Sequence, residues 1–345
     1  MFISSDDDSI KNTLTSTIYS FGSSCDGIYG QMVFFPNGII HGYAHPNECY
    51  WGLENGVLIF YDVNRVISAS FDFSERLNTW IGISKGQKWP LFLVPVIEID
   101  SPVNSGLSIF INSIPKSGTY FLEKVFTSLG MKSSGLHLSG RTTIHDNRGI
   151  DNIHFQPSNQ YIRCDLSLLA SLLADTNTIT VGHIEYVDVV NKFSDSGIKV
   201  ISVVRNLRDV LVSLMNFKEQ KVKESSCAES LWKKQVGPSK LEAFLCYYHS
   251  LDIQHIKSVT AAIIESETDV VKYEELVNGN FPLSVVNDYS QLSEIEEHLK
   301  RNLNVSTSTY SGQRSNFSDF WSIDMDKYFF DSGLYELNAK LGYEE

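Results

Sequence analysis

The sequence predicts an α/β protein, a parallel sheet flanked by helices, preceded by an antiparallel β-rich region. Three observations carry this. From residue 105 onward, short apolar runs alternate with segments of helical periodicity, the pattern of strand–helix–strand units. Two of these units, at 107–129 and 199–217, end their strands in polar turns that carry Lys116 and Arg205. Before residue 105 that alternation is missing. Apolar runs there are separated by Pro36-Asn37-Gly38, His45-Pro46-Asn47 and Glu54-Asn55-Gly56. Asn-Gly between apolar runs marks a hairpin, because both residues tolerate positive φ.

In chain order, residues 30–35, 39–43, 49–53, 57–61 and 67–73 read as an antiparallel meander, and 80–83 and 88–95 add strands. Trp51, Trp80 and Trp89 read as β-core. His41 and His45 lie four apart without a third ligand nearby, so they read as structural residues and not as a metal pair. We take 1–104 as a β-rich subdomain and 105–345 as the main domain.

Residues 107–111 form a short buried strand. Leu122, Val125, Phe126 and Leu129 then fall at i, i+3, i+4 and i+7, one face of a helix that Gly130 closes. Between them, Ile114-Pro115-Lys116-Ser117-Gly118-Thr119 makes a tight turn. Such a turn points backbone N–H groups and the positive end of the helix dipole at one spot, which suits a phosphate-like anion. Lys116 and Thr119 add side-chain donors. The polar, weakly periodic stretch 133–160 reads as a long functional loop bearing His137, His145 and His154. Residues 166–175 and 241–256 read as helices and 179–182 as a strand. The β-branched run 199–205 leads into a helix that Asn206 caps and whose first turn Asp209 suits.

Residue order at the first turn separates two families. A P-loop of ATPases requires G-x-x-x-x-G-K-[ST], with the lysine after the second glycine. Here the lysine precedes the glycine, in Pro115-Lys116-Ser117-Gly118-Thr119. The chain therefore resembles the PAPS-dependent sulfotransferases, whose 5′-phosphosulfate loop reads P-K-S-G-T-T-W. Their 3′-phosphate segment ends a strand in arginine with a serine eight residues later, here Arg205 and Ser213. Their catalytic histidine follows the third strand, here His183, 67 residues after Lys116 and 22 before Arg205. Tyr273-Glu274-Glu275-Leu276 is similar to the family's Y-E-D-L, and Gln313-Arg314 with Asp319 is laid on its R-K-G-x-x-G-D-W loop.

The resemblance covers roughly residues 105–325 and implies a P-loop-like sulfotransferase fold. It implies PAPS as co-substrate and PAP as product, without a metal. Lys116, Ser117, Gly118, Thr119 and Tyr120 would then hold the 5′-phosphosulfate. Arg205, Ser213 and Arg314 would hold the 3′-phosphate, and Phe121 and Tyr273 would flank adenine. His183 would be the general base, with His137, His145, His154 or Glu185 as substitutes, and Lys116 would stabilise the leaving group. Four positions depart from the pattern: Tyr120 replaces a threonine, Phe121 a tryptophan, Leu207 a proline and Gln313 an arginine. The β-rich N-terminus is an addition to the fold.

The 345 residues bury a sizeable core, and no signal sequence or 18-residue apolar span occurs. Five scattered cysteines without C-x-x-C spacing read as reduced thiols of a cytoplasmic protein. The formal charge of −13 argues against nucleic acid and densely anionic acceptors. The reading is thus sulfation of a hydroxyl or amine on a small-molecule acceptor; cationic secondary metabolites, neutral sugars and phenols all fit. Oligomeric state leaves no mark in the sequence. Two rivals stand beside this: a P-loop small-molecule kinase, and a non-catalytic scaffold on a degenerate sulfotransferase fold.

Overall fold

The computed structural model describes residues 4–84, 86, 88–99, 106–148, 161–221, 227–285, 289–303 and 317–343. The chain opens on helix α1 (Ser4–Thr15), which the sequence pattern did not announce, followed by eight antiparallel strands. These are β1 (Thr17–Ser23), β2 (Gly27–Phe34), β3 (Ile40–His41), β4 (Tyr50–Glu54), β5 (Val57–Tyr61), β6 (Ile67–Ser74), β7 (Thr79–Ser84) and β8 (Leu91–Glu98). The two-residue β4–β5 turn, Asn55-Gly56, has φ of 52° and 79°, as the hairpin reading requires.

The meander closes on itself. β8 pairs with β1, and β3 meets β4 through Ile40 N–H to Cys49 O at 3.0 Å and Trp51 N–H to Gly38 O at 2.9 Å. The result is an up-and-down barrel, which removes the open sheet edges. Phe21, Phe34, Phe60 and Phe71 point inward with Trp51 and Trp80, and Leu14 of α1 joins the same cluster. An eight-stranded barrel is just wide enough for side chains to fill, and these large rings fill it. β1 is buried along its whole length because its other face meets the second half of the molecule. There Ile18, Val33 and Ile97 share a core with Phe110, Leu136, Leu168 and Phe193.

The second sheet holds β9 (Ile109–Ser113), β10 (Lys132–Ser139), β11 (Thr143–Asp146), β12 (Tyr161–Arg163), β13 (Thr178–His183), β14 (Lys199–Val204) and β15 (Asp269–Lys272). Its spatial order is β12-β11-β10-β13-β9-β14-β15. The five strands from β10 to β15 in that order run parallel, and β11 and β12 run antiparallel at one edge. Helices α2 (Thr119–Ser128), α3 (Leu166–Leu173), α4 (Val187–Asp195) and α5 (Leu207–Lys221) connect the central strands. Further on come α6 (Cys227–Lys233), α7 (Gly237–Tyr248), a π-helical turn (His249–Ile253) and α8 (Gln254–Glu265).

Two expectations are corrected. Residues 132–139 and 143–146 are strands and not loop. Leu136, Leu138 and Ile144 are buried while His137 and Ser139 alternate with them, so the period is two and the polar face lines a cavity. The helix expected over 241–256 is interrupted by the π turn. The boundary expected at 104/105 lies outside the described residues. On either side of it, the barrel is tied to the second sheet at its edge: Gln31 Nε2 donates to Arg163 O at 3.1 Å and Gln31 Oε1 accepts from Asp165 N–H at 2.9 Å.

Candidate active site

β13, β9 and β14 are neighbours, so their C-terminal ends bring His183, the 114–119 turn and Arg205 to one edge of the sheet. The turn is tight, with positive φ at Lys116 (71°) and at Gly118 (95°), which caps α2. Ser117 N–H is spent within it on Ile114 O at 3.1 Å. Thr119 and Tyr120 N–H lie in the first helical turn, where no intrahelical acceptor exists. Two buried polar side-chain atoms here, Ser117 Oγ and Arg205 Nε, have no hydrogen-bond partner among the described residues. Burying such donors unpaired is costly, so their presence fits anionic groups that supply the missing acceptors.

Arg205 reaches back to the turn, donating from Nη1 to Lys116 O at 3.2 Å, and its guanidinium lies 4.6 Å over the Tyr273 ring. Tyr273 packs in turn on Gly118. Lys116 Nζ sits 4.0 Å over the Phe217 ring on α5. Ser213 is half-buried one turn earlier on α5, on the same helix face as Phe217. Phe121 is buried in the apolar cluster with Phe126, Val271 and Leu276. Arg314, Gln313 and His154 lie outside the described residues. Asn206 does cap α5, accepting from Arg208 N–H at 3.0 Å, and buried Asn338 accepts from Leu207 N–H at 2.8 Å. With those N–H groups taken, anion binding at this end falls to side chains.

A cavity of about 420 Å³ opens beside the turn, walled by Lys116, His137, His145, His183, Phe217 and His255 among others. His183 Nδ1 lies 2.7 Å from Ser113 O. A carbonyl only accepts, so Nδ1 carries the proton and Nε2 keeps its lone pair. Burial pushes this imidazole down to about 3; the Ser113 carbonyl opposes the shift, and His255 and Lys116 add to it. The ring is therefore neutral at physiological pH. His137 is likewise held well below the usual range by burial and then by its imidazole neighbours. Its Nδ1 is 2.8 Å from the Tyr120 hydroxyl, so the tyrosine that replaces threonine turns its hydroxyl onto a histidine. Thr119 Oγ1 is hydrogen-bonded to Ser113 Oγ.

Residues that the motifs did not single out hold this arrangement. Asn112, fully buried, clamps Ile184 from both sides, accepting its N–H at 2.7 Å and donating to its carbonyl at 3.3 Å. Two polar residues, Asn112 and Ser113, ending an apolar strand were the available signal. His255, Asp252, Lys218 and Phe217 carry none, since they sit within helical periodicity. Among the described residues, no group of three or more His, Cys, Asp or Glu is arranged to hold a metal ion. No described helix is long and apolar enough to cross a membrane.

Residues 108–316 match the family model described as the sulfotransferase domain, which is more than half of the chain. The chain belongs to the sulfotransferase family. Solved structures similar to this sulfotransferase include mouse sulfotransferase SULT7A1 complexed with PAP, at 15% identity and TM-score 0.42, over 69% of this chain and 89% of that one. Retinol dehydratase in complex with androsterone and inactive cofactor PAP is also similar, at 15% identity and TM-score 0.38, over 67% and 80%. Comparison with curated protein sequences gives no match.

Two results are expected from the site of this sulfotransferase. A Cβ at Gly118 would lie 2.6 Å from the Tyr273 ring, at a φ that L-residues avoid. Gly118→Ala should lower stability by about 1–3 kcal/mol in urea unfolding, and an unchanged midpoint would refute the packing. Acid should also destabilise the fold through His183. Between pH 6.5 and about 3 the unfolded chain holds more protons on this residue than the native one, so stability falls as pH drops through that window. Melting temperature should fall by several degrees from pH 7 to pH 5. His183→Gln should flatten that slope; an identical slope would refute the assignment.

Proposed function

We propose that this sulfotransferase moves the sulfuryl group of PAPS to a hydroxyl of a small neutral acceptor, with His183 as general base. The observation that carries the reading is the pair of orphaned donors, Ser117 Oγ and Arg205 Nε, buried where the first turn of α2 meets the end of β14. PAPS supplies the sulfuryl group and departs as PAP. Ser117, Gly118, Thr119 and Tyr120 bind the 5′ end, with the helix N-terminus favouring its negative charge. Arg205, Ser213 and Arg314 bind the 3′-phosphate, and Tyr273 and Phe121 border the base. Lys116 provides the positive charge that offsets charge on the departing nucleotide. His183 Nε2 takes the proton of the acceptor hydroxyl, its other nitrogen anchored on Ser113 O.

Two features favour a neutral acceptor. Asp252 on the cavity wall is already paired with Lys218 at 2.9 Å, and the net charge of −13 disfavours anions. The five cysteines, all free, agree with action in the cytoplasm. The barrel, within 1–104, braces the acceptor side of the 105–345 domain through Gln31. Thermal-shift titration tests the cofactor reading: PAP at a hundred times its dissociation constant should add about 2.7 kcal/mol of stability, and ATP much less. Equal shifts with both, or none with PAP, would reject it.

A further inference from the structure

Glu185 lies two residues beyond His183, on the segment that Asn112 clamps. Its Oε2 is 2.6 Å from Nδ1 of His255, which begins α8 just after the π turn. A carboxylate accepts, so His255 Nδ1 donates, and in the neutral ring Nε2 then keeps the lone pair. His255 is a wall of the same cavity as His183, and the two rings stand with centroids 6.4 Å apart. Single π turns inside helices recur at functional sites, and this one interrupts α7–α8 where Asp252 and His255 reach the cavity. The wall therefore offers two oriented imidazole acceptors, while Leu214, Phe217 and Ile256 line the cavity with apolar surface. Two carboxylates here are committed, Glu185 to His255 and Asp252 to Lys218.

We infer that the Glu185–His255 pair is a subsite for a second hydroxyl, so that the acceptor is a neutral diol or polyol on an apolar ring, with one hydroxyl on His183 and another on His255. This rests on the sulfotransfer reading above. A lone pair facing a cavity is satisfied by an O–H and not by an ether oxygen. His183 receives the proton of the hydroxyl that is sulfated, whereas His255 only accepts a hydrogen bond. The subsite thus selects among acceptors without entering the transfer itself. His255 is a third exposed, so the selection is that of one partly solvated hydrogen bond, about tenfold.

The test compares resorcinol with 3-methoxyphenol, which differ by a methyl cap on the second hydroxyl, in kcat/KM with wild type, His255→Phe and Glu185→Gln. Wild type should favour resorcinol about tenfold after correction for its two equivalent hydroxyls. His255→Phe should bring the ratio near one by lowering kcat/KM for resorcinol about tenfold more than for 3-methoxyphenol, and Glu185→Gln, which keeps an acceptor for Nδ1, should retain part of the preference. Absence of a wild-type preference, or its survival in His255→Phe, overturns the subsite. Calorimetry with PAP on each variant separates the two levels. Protein that binds PAP but sulfates neither phenol overturns the diol subsite alone, and protein that fails to bind PAP overturns the sulfotransfer reading beneath it.

Discussion

Arg205→Ala should weaken PAP binding by about 2–5 kcal/mol, the range for removing one partner of a desolvated charge pair. The guanidinium lies over the Tyr273 ring and donates to the backbone of the Lys116 turn, so its plane is already fixed for an incoming phosphate. Its Nε is already buried without an acceptor, which means the free protein bears a desolvation cost that the ligand relieves. Arg205→Lys should recover only part of the loss, because a point charge cannot reproduce the planar fork held on Tyr273. Isothermal calorimetry reads both. Unchanged PAP affinity in Arg205→Ala would remove the 3′-phosphate assignment, while the fold could be confirmed intact from an unaltered melting curve.

His183→Ala should lower kcat by ~10²–10⁴ and leave PAP affinity nearly unchanged. The imidazole is neutral at physiological pH with its proton on Nδ1, yet burial that pushes it down to about 3 makes it a weak proton sink. It cannot deprotonate an alcohol in advance. The proton must move late, once bonding to sulfur has made the hydroxyl acidic, and a more acidic acceptor should depend less on the residue. Single-turnover sulfation across phenols of graded acidity measures this, with His145→Ala as control. Near-normal turnover in His183→Ala beside a dead His145→Ala would transfer the role of base to the β10–β11 hairpin.

The parts of this architecture that were legible are those with local codes. The Lys116 turn, the run into Arg205 and the Asn55-Gly56 hairpin each announce themselves within a few residues, because backbone geometry there demands particular side chains. Barrel closure was not legible, since pairing between β3 and β4 depends on two short stretches around Gly38 and Cys49 meeting in space. The strands at 132–139 and 143–146 were hidden by their composition: alternate positions are histidine and serine facing a cavity, which dilutes apolar periodicity. His255 was invisible for the opposite reason. It sits in a run whose isoleucines and valine pack the core, and only the π turn and Glu185 mark it out. Arg314, proposed from a weak segment, lies outside the described residues.

The order of the two sheets along the chain bears on how the molecule assembles. Most barrel pairings join strands adjacent in sequence, so loop-closure entropy is small and formation should be quick. The parallel sheet instead joins Ile109 to Lys199, a contact that waits for most of an α/β unit to be made. During synthesis the barrel is thus complete while β9 still lacks β14. Its outward residues Ile18, Val33 and Ile97 then present a finished apolar floor, on which α3 and β10 can collapse as they emerge. The appended module acts in this sense as a scaffold built ahead of its enzyme, and refolding of the intact chain should show a fast barrel phase preceding a slower one that restores the nucleotide site.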